Sequence, residues 1–345
     1  VSKLKSAIVA AFTRQVESDT LNKLVLYSGL TARQVSLIRA VVKYMAQTSL
    51  PFSAGYMSEC LKNHATLSRH LFDLFEAKFC PEHHSAAKSG EIQQLVNAEL
   101  NKVENLAEDQ ILKAAFSVVN AMIRTNYYQT LDDGAHKPYI SFKLESAKVL
   151  NLPKPYPLYE IFVYSIRFEA VHLRGGKVAR GGLRWSDRKE DFRTEVLGLV
   201  KAQMVKNSVI VPTGSKGGFV CKKLPDAKDR EAYMAEGINC YKQFISGLLD
   251  ITDNLVNGQV VHPKQVIRHD GEDPYLVVAA DKGTATFSDF ANEMSQKYSF
   301  WLGDAFASGG SVGYDHKKMG ITAKGAWEAV KRHFRHLGID TQTQD

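Results

Sequence analysis

Between Val171 and Val220 the chain sets ten lysines and arginines against four acids, a local balance of +6 in a chain of net charge +7. A basic excess held in one stretch suits an anionic ligand. Three groups in or near it could do chemistry. Gln203 and Lys206 are i, i+3 neighbours at the end of a helix-period segment, so their side chains reach one ligand together; the plainer alternative for Lys206 is a surface cation favouring a helix C-terminus. Lys216 stands among three glycines in TGSKGG, behind the short apolar run VIVP. Glycines let backbone approach a ligand closely, and a loop at the C-terminal end of a strand is where open α/β sheets bind ligands. The stretch does not match the GxxxxGK pattern of a phosphate-binding loop, and an exposed turn lysine is its bland alternative. Asp281 follows the apolar run VVAA and would face the same crevice, unless it only caps a helix or turn.

The elements that must position these groups fall into two halves. In the first, Thr31 and Gln34 form a capping-box pair opening a helix in which Val35, Ile38, Val41, Val42 and Met45 recur at helical spacing. Further helices are expected over 54–63 and 66–79, and across 90–127 in one or two pieces. After the turn-like DDGAHKP at 132–138, the aromatic and β-branched runs YISFKLES and YEIFVYSIRFEAVHLRGG begin a series of strands. The expected order from there is a glycine turn, a helix over 191–207 with a buried stripe of Phe192, Val196, Leu199, Val200 and Met204, a strand at VIVP, a second glycine turn and a strand at GFVC. A helix over 227–255, a strand at YLVVAA, a helix near 287–298 and a last helix over 322–336, stopped by Gly338, complete it. Strands alternating with helices predict an α/β domain with a mostly parallel mixed sheet covered on both faces, placed behind an all-α module.

Composition bounds the function class. With 345 residues, 44% hydrophobic and 23% charged, the chain is ordinary globular material long enough for two domains. The sequence pI is near 9.0, yet no arginine-rich tract or paired aromatic signature accompanies the charge, so no nucleic-acid partner is expected. No apolar run approaches the roughly 18 residues of a membrane span, and no signal peptide is visible. Four dispersed cysteines make no disulfide framework and point to a reducing compartment, the cytoplasm. Cys60, His64, Cys80 and His83 offer two thiols and two imidazoles. Their spacing is wrong for a zinc finger, and buried cysteines with surface histidines explain them, so no metal is expected. The chain starts at Val and stops in a polar tail, GIDTQTQD, which suggests a piece of something longer.

Four blocks in order, ARGGLRWSDR at 179–188, EVLGLVKAQMVKNSVIVPTGSKGGFV at 195–220, VVAADKGTATFSD at 277–289 and DAFASGGSVGYDHKKMGITAKGAWEAVKRHF at 304–334, resemble the glutamate dehydrogenase family, specifically its large NAD-dependent bacterial class. The resemblance implies a three-layer substrate domain of the amino-acid dehydrogenase type over 136–345, behind a helical module over 1–135. It makes Lys216 the catalytic lysine and Asp281 the catalytic aspartate, with Gln203 and Lys206 on the substrate α-carboxylate. Gly181 and Gly182 would bring backbone to the substrate. Arg180 falls where smaller enzymes carry a lysine for the side-chain carboxylate, a departure that keeps the charge and adds bidentate geometry. Implied with these are oxidative deamination of L-glutamate to 2-oxoglutarate and ammonia, NAD as cofactor, and a homo-oligomer for the intact enzyme. No strand–GxGxxG–helix fingerprint occurs in the chain, so the NAD-binding domain is expected after residue 345, and the chain alone is expected to be inactive. The alternative is a non-catalytic anion-binding or scaffolding module using the same cations.

Overall fold

In the computed structural model of the chain, residues 2–206, 213–280, 287–307 and 319–343 are described, with backbone only at 205, 206, 279 and 322. The first third is helical: α1 (Ser2–Phe12), α2 (Leu24–Tyr27), α3 (Ala32–Met45), α4 (Ala54–Asn63), α5 (Ala65–Phe79), α6 (Ala86–Leu100) and α7 (Leu106–Ala121). The capping box at the start of α3 forms as its sequence requires, with Thr31 Oγ1 accepting from Gln34 N and Gln34 Oε1 accepting from Thr31 N.

A seven-stranded sheet follows, built from β1 (Met122–Thr125), β2 (Tyr139–Glu145), β3 (Tyr159–Ser165), β4 (Phe168–Arg174), β5 (Arg180–Trp185), β6 (Ser215–Cys221) and, after the small hairpin β7 (Asn254–Val256) and β8 (Gln259–Val261), β9 (Val277–Ala280). Its order is β1-β2-β3-β4-β6-β5-β9. The α/β fold with a mixed sheet agrees with expectation, but parallel pairing is confined to β6–β5 and β5–β9, and the other neighbours run antiparallel. Short links explain the difference. β3 and β4 are joined by two residues, which permits only a hairpin, whereas α8 (Phe192–Lys206) lies between β5 and β6 and supplies the long crossover that parallel strands need.

Strand side chains alternate between two apolar layers. Phe142, Leu144, Phe162, Val171, Leu173 and Val220 pack with α3, α5, α7 and α8. Ile161, Val163, Phe168, Ala170 and Phe219 pack with α9 (Arg230–Leu249) and α10 (Phe287–Lys297). The helical module thus shares one core with the sheet. A final helix, α11 (Ile321–His336), ends before Gly338, whose φ of +73° is the left-handed conformation expected of it.

Two buried charge clusters fix the layers. On the α8 side, Arg193 and Glu160 are fully buried partners: Arg193 Nε donates to Glu160 Oε2 at 2.9 Å, and Nη2 donates to Oε1. Tyr44 of α3 also donates to Glu160, at 2.9 Å. Gln47, just beyond α3, donates to Lys189 O and Glu190 O and accepts from Arg193 N. The helical module therefore holds the start of α8.

On the other side, Arg124 donates to both oxygens of Asp253 at 3.0 Å and to Asp270 at 2.6 Å. Lys143 donates to Asp270 at 2.5 Å and to Asp273 at 2.7 Å, and Arg174 donates to Asp273 and to Tyr275 O. Burial alone would raise the Asp273 carboxyl, but Arg174 and Lys143 override it and hold it down at about 2. Beside them His172 is buried, and neither ring nitrogen has a hydrogen-bond partner among the described residues. Burial, with Arg174 adding repulsion, pushes its pKa down to about 3.

Two predictions follow from these clusters. Arg193→Ala strands the Glu160 carboxylate in the core and should cost about 3–5 kcal/mol, read as a lower urea midpoint, while Arg193→Met with Glu160→Leu should recover most of the loss. His172 titrates near 6.5 in the unfolded chain and near 3 in the folded one, so below pH 6.5 the unfolded state takes up the extra proton. Stability should accordingly fall as pH drops from 6.5 toward 3, and the fall should be shallower in His172→Leu. Equal slopes in the two proteins would disprove the assignment.

Candidate active site

β5 lies between β6 and β9 and runs parallel to both. The pairs Arg180↔Gly214 and Leu183↔Gly217 set Gly182 beside Lys216. A Cβ on Gly217 would meet Phe244 Cζ of α9 at 3.3 Å, and one on Gly218 would meet Val196 Cγ2 of α8 at 2.7 Å. Lys216, which shares Gly218's face by the two-residue period of a strand, therefore stands half-buried on the α8 side of the sheet.

Gln203, in the last turn of α8, reaches the same place. Its Nε2 donates to Arg180 O at 2.8 Å. Its Oε1 is buried without a hydrogen-bond partner among the described residues, and it lies 2.6 Å from where a Cβ on Gly214 would stand and 3.3 Å from one on Gly181. Gly181 is the most constrained glycine of the site, since a Cβ there would fall 1.4 Å from Ser215 O. No rotation of a side chain relieves a clash with backbone. The amide of Gln203 thus ties the end of α8 onto the start of β5 and fits only because Gly181 and Gly214 lack side chains.

The structure brings Gln203, Lys216, Gly181, Gly182 and the backbone of Arg180 together. Residue Arg180 is exposed, and its carbonyl accepts from Gln203. Lys206 closes α8, and its side chain lies outside the described residues. Asp281 also lies outside them, although Ala280 just before it pairs with Leu183 of β5. The strand expected at VIVP, 209–212, lies outside them too.

Several local expectations are corrected. RGGLRW is strand β5, not a glycine turn, and Ser215–Cys221 is one strand, so Lys216 stands near the start of β6 rather than in a loop at a strand's C-terminal end. The glycines do not mark turns here; they permit close approach of neighbouring backbone and helix. Along α8 the buried residues are Phe192, Arg193, Val196, Leu197 and Val200, while Leu199 is half-buried and Met204 exposed. The stripe turns because the first half of α8 packs between sheet and α3, and Arg193 must face Glu160. Gly214, expected with its neighbours to let backbone approach a ligand, instead makes room for the Gln203 side chain.

Around this site, α8 is held by a second pair: Arg184 Nη1 donates to Glu195 Oε1 at 2.9 Å, and Ser186 Oγ donates to Glu195 Oε2 at 2.6 Å. Among the described residues no helix is long and apolar enough to cross a membrane.

With this geometry in view, the relatives become informative. Residues 95–345 match the family described as bacterial NAD-glutamate dehydrogenase, catalytic domain, and residues 16–81 match glutamate dehydrogenase, helical motif 3. An NAD-specific glutamate dehydrogenase of Halomonas elongata is 54% identical over 350 residues, covering 100% of this chain and 22% of that protein. Those of Pseudomonas aeruginosa and Mycobacterium tuberculosis are 56% and 55% identical, over 98% and 99% of this chain and 21% and 22% of their own lengths. The chain thus spans about a fifth of the curated relatives it matches. On these matches, the chain belongs to the bacterial NAD-glutamate dehydrogenase family and carries its catalytic domain.

Proposed function

We propose that this chain supplies the substrate-binding half of an NAD-dependent glutamate dehydrogenase, which oxidatively deaminates L-glutamate to 2-oxoglutarate and ammonia in the full-length protein. The observation that carries the reading is the placement of Gln203 on Arg180 O against Gly181, with Lys216 set beside Gly182 on the neighbouring strand, in a chain whose relatives bear that name. A dicarboxylate substrate suits a site that gathers cations. Gln203 Nε2 carries two hydrogens, and only one is used on Arg180 O. The other, together with Lys206, would grip the α-carboxylate, and Arg180 would meet the side-chain carboxylate with bidentate geometry.

NAD, when bound, accepts the hydride from the substrate α-carbon. The residues here do not fit a dinucleotide by themselves, because the chain has no strand–GxGxxG–helix unit; the reading assigns NAD binding mainly to another part of the full-length protein. In this chain Lys216 would activate the water that attacks the α-carbon of the iminium and stabilise the negative charge that develops there. Asp281 would carry the proton to and from the departing amine. The division into a helical module over 1–135 and a substrate domain over 136–345, a cytoplasmic location and a homo-oligomeric intact enzyme belong to the same reading. In it the module's task is to hold α8, through Gln47 and Tyr44, against the sheet that carries Lys216.

In the full-length enzyme, Lys216→Ala should abolish turnover with the circular dichroism spectrum unchanged. Gln203→Ala should lower kcat/KM for glutamate by roughly 10–100-fold, the worth of one hydrogen bond to a charged group, with the KM for NAD little altered. Turnover that survives Lys216→Ala would favour the scaffolding alternative. The 345-residue chain alone should produce no NADH from glutamate and NAD; measurable production would refute the assignment of NAD binding elsewhere.

A further inference from the structure

The fold divides the set Cys60, His64, Cys80 and His83. α5 runs fifteen residues between His64 and Cys80, which at about 1.5 Å per residue puts them roughly 22 Å apart. What meets Cys60 and His64 instead is Glu108, from the first turn of α7. Cys60 Sγ, a His64 ring nitrogen and a Glu108 carboxylate oxygen all lie within 4.8 Å of one another. We propose that Cys60, His64 and Glu108 bind a divalent ion of the zinc class through three protein ligands, with a fourth position open to solvent.

The donor set is sulfur, imidazole nitrogen and carboxylate oxygen, the three ligand types that zinc accepts in tetrahedral sites. With metal–ligand bonds of about 2.0–2.3 Å, tetrahedral ligands stand roughly 3.3–3.6 Å apart. His64 Nε2 and Glu108 Oε2 are already 2.9 Å apart, so the three need only small side-chain rotations. The backbone beneath them is fixed. His64 N donates to Cys60 O at 3.0 Å, which locks the two a helical turn apart at the junction of α4 and α5. Asn105 Oδ1 accepts from Ala107 N and Glu108 N, which pins the start of α7.

Access is graded in the same direction. The His64 and Glu108 side chains are 28% and 26% exposed, while Cys60 is buried at the bottom. Among the described residues the Cys60 thiol donates only to the distant Glu108 O, at 4.0 Å. Without an ion, burial and then Glu108 push that thiol up to about 12. A divalent ion inverts this balance. The S–H bond breaks, the proton goes to solvent, and thiolate and carboxylate neutralise the ion while the imidazole stays neutral. The ion would staple the α4–α5 junction to α7, within the helical layer that supports α8.

The test is Co2+ titration of the reduced, metal-free 345-residue chain, followed by absorption. A single equivalent should bring up a thiolate-to-cobalt band in the near-UV with the strong visible bands of four-coordinate cobalt, and Zn2+ should erase both. Cys60→Ser should remove the near-UV band. His64→Gln and Glu108→Gln should each weaken binding by more than the roughly 10–100-fold that losing an outer partner of a ligand costs. Cys80→Ser should change nothing. Far-UV circular dichroism of the metal-free proteins establishes that each variant is folded. The proposal is overturned by absence of the band in the parent chain, or by a band that survives Cys60→Ser or is lost in Cys80→Ser. Should Cys60→Ser fail to fold, unchanged cobalt affinity in both His64→Gln and Glu108→Gln overturns it equally.

Discussion

The buried ion network of Arg124, Lys143 and Arg174 with Asp253, Asp270 and Asp273 is the constraint on which the placement of the site depends. Three cations and three carboxylates taken out of water are tolerable only together, because each unpaired member would carry a desolvation cost of several kcal/mol. Arg124 comes from β1, Lys143 from β2 and Arg174 from the end of β4, whereas the acids come from the long connection between α9 and β9. The network therefore fixes that connection against the sheet. Arg174 also donates to Tyr275 O, two residues before β9 begins. Through it the antiparallel side of the sheet sets where β9 enters, and β9 leads to Asp281.

α8 is positioned by a separate set of contacts from the opposite layer. Glu160 on β3 receives Arg193 and Tyr44 at once, so sheet, α8 and α3 share one carboxylate. Gln47 adds the turn before α8, and Glu195 adds Arg184 and Ser186 of the β5 region. At the far end of α8, Gln203 donates to Arg180 O and ties the helix to the start of β5. An error in either layer would be felt there, since Gln203 Oε1 is held between two glycines with no room for a methyl group.

Much of this was legible in the sequence. Helical spacing located α3, α4 and α5, and aromatic and β-branched runs located β2, β3 and β4, because those elements bury side chains with a regular period. β5 was not legible as a strand. Its glycines erase the usual strand signal, yet they are there for close backbone packing against β6. β1 also escaped, as four residues continuing directly from α7. The local balance of +6 was read as a field for an anion, but Arg174 and Arg193 are neutralised by Asp273 and Glu160, which lie outside that stretch of sequence. No local pattern reveals partners 99 residues apart. Lys216, in contrast, stood out in the sequence by the glycines on both sides of it, and those glycines are what let β6 lie close to β5 and α8.

The orientation of α8 sharpens what those cations must accomplish. Gln203 and Lys206 stand in the last turn of the helix, where the unsatisfied carbonyls carry partial negative charge. An anion placed there meets repulsion of about 0.3–1 kcal/mol, whereas a helix N-terminus would attract it. Backbone alone would therefore turn a carboxylate away from this place. Any affinity for one has to come from side-chain donors, with Gln203 fixed by Arg180 O and Lys216 projecting from a strand whose neighbour, Gly182, offers no bulk. Such a site depends on side-chain charge to an unusual degree.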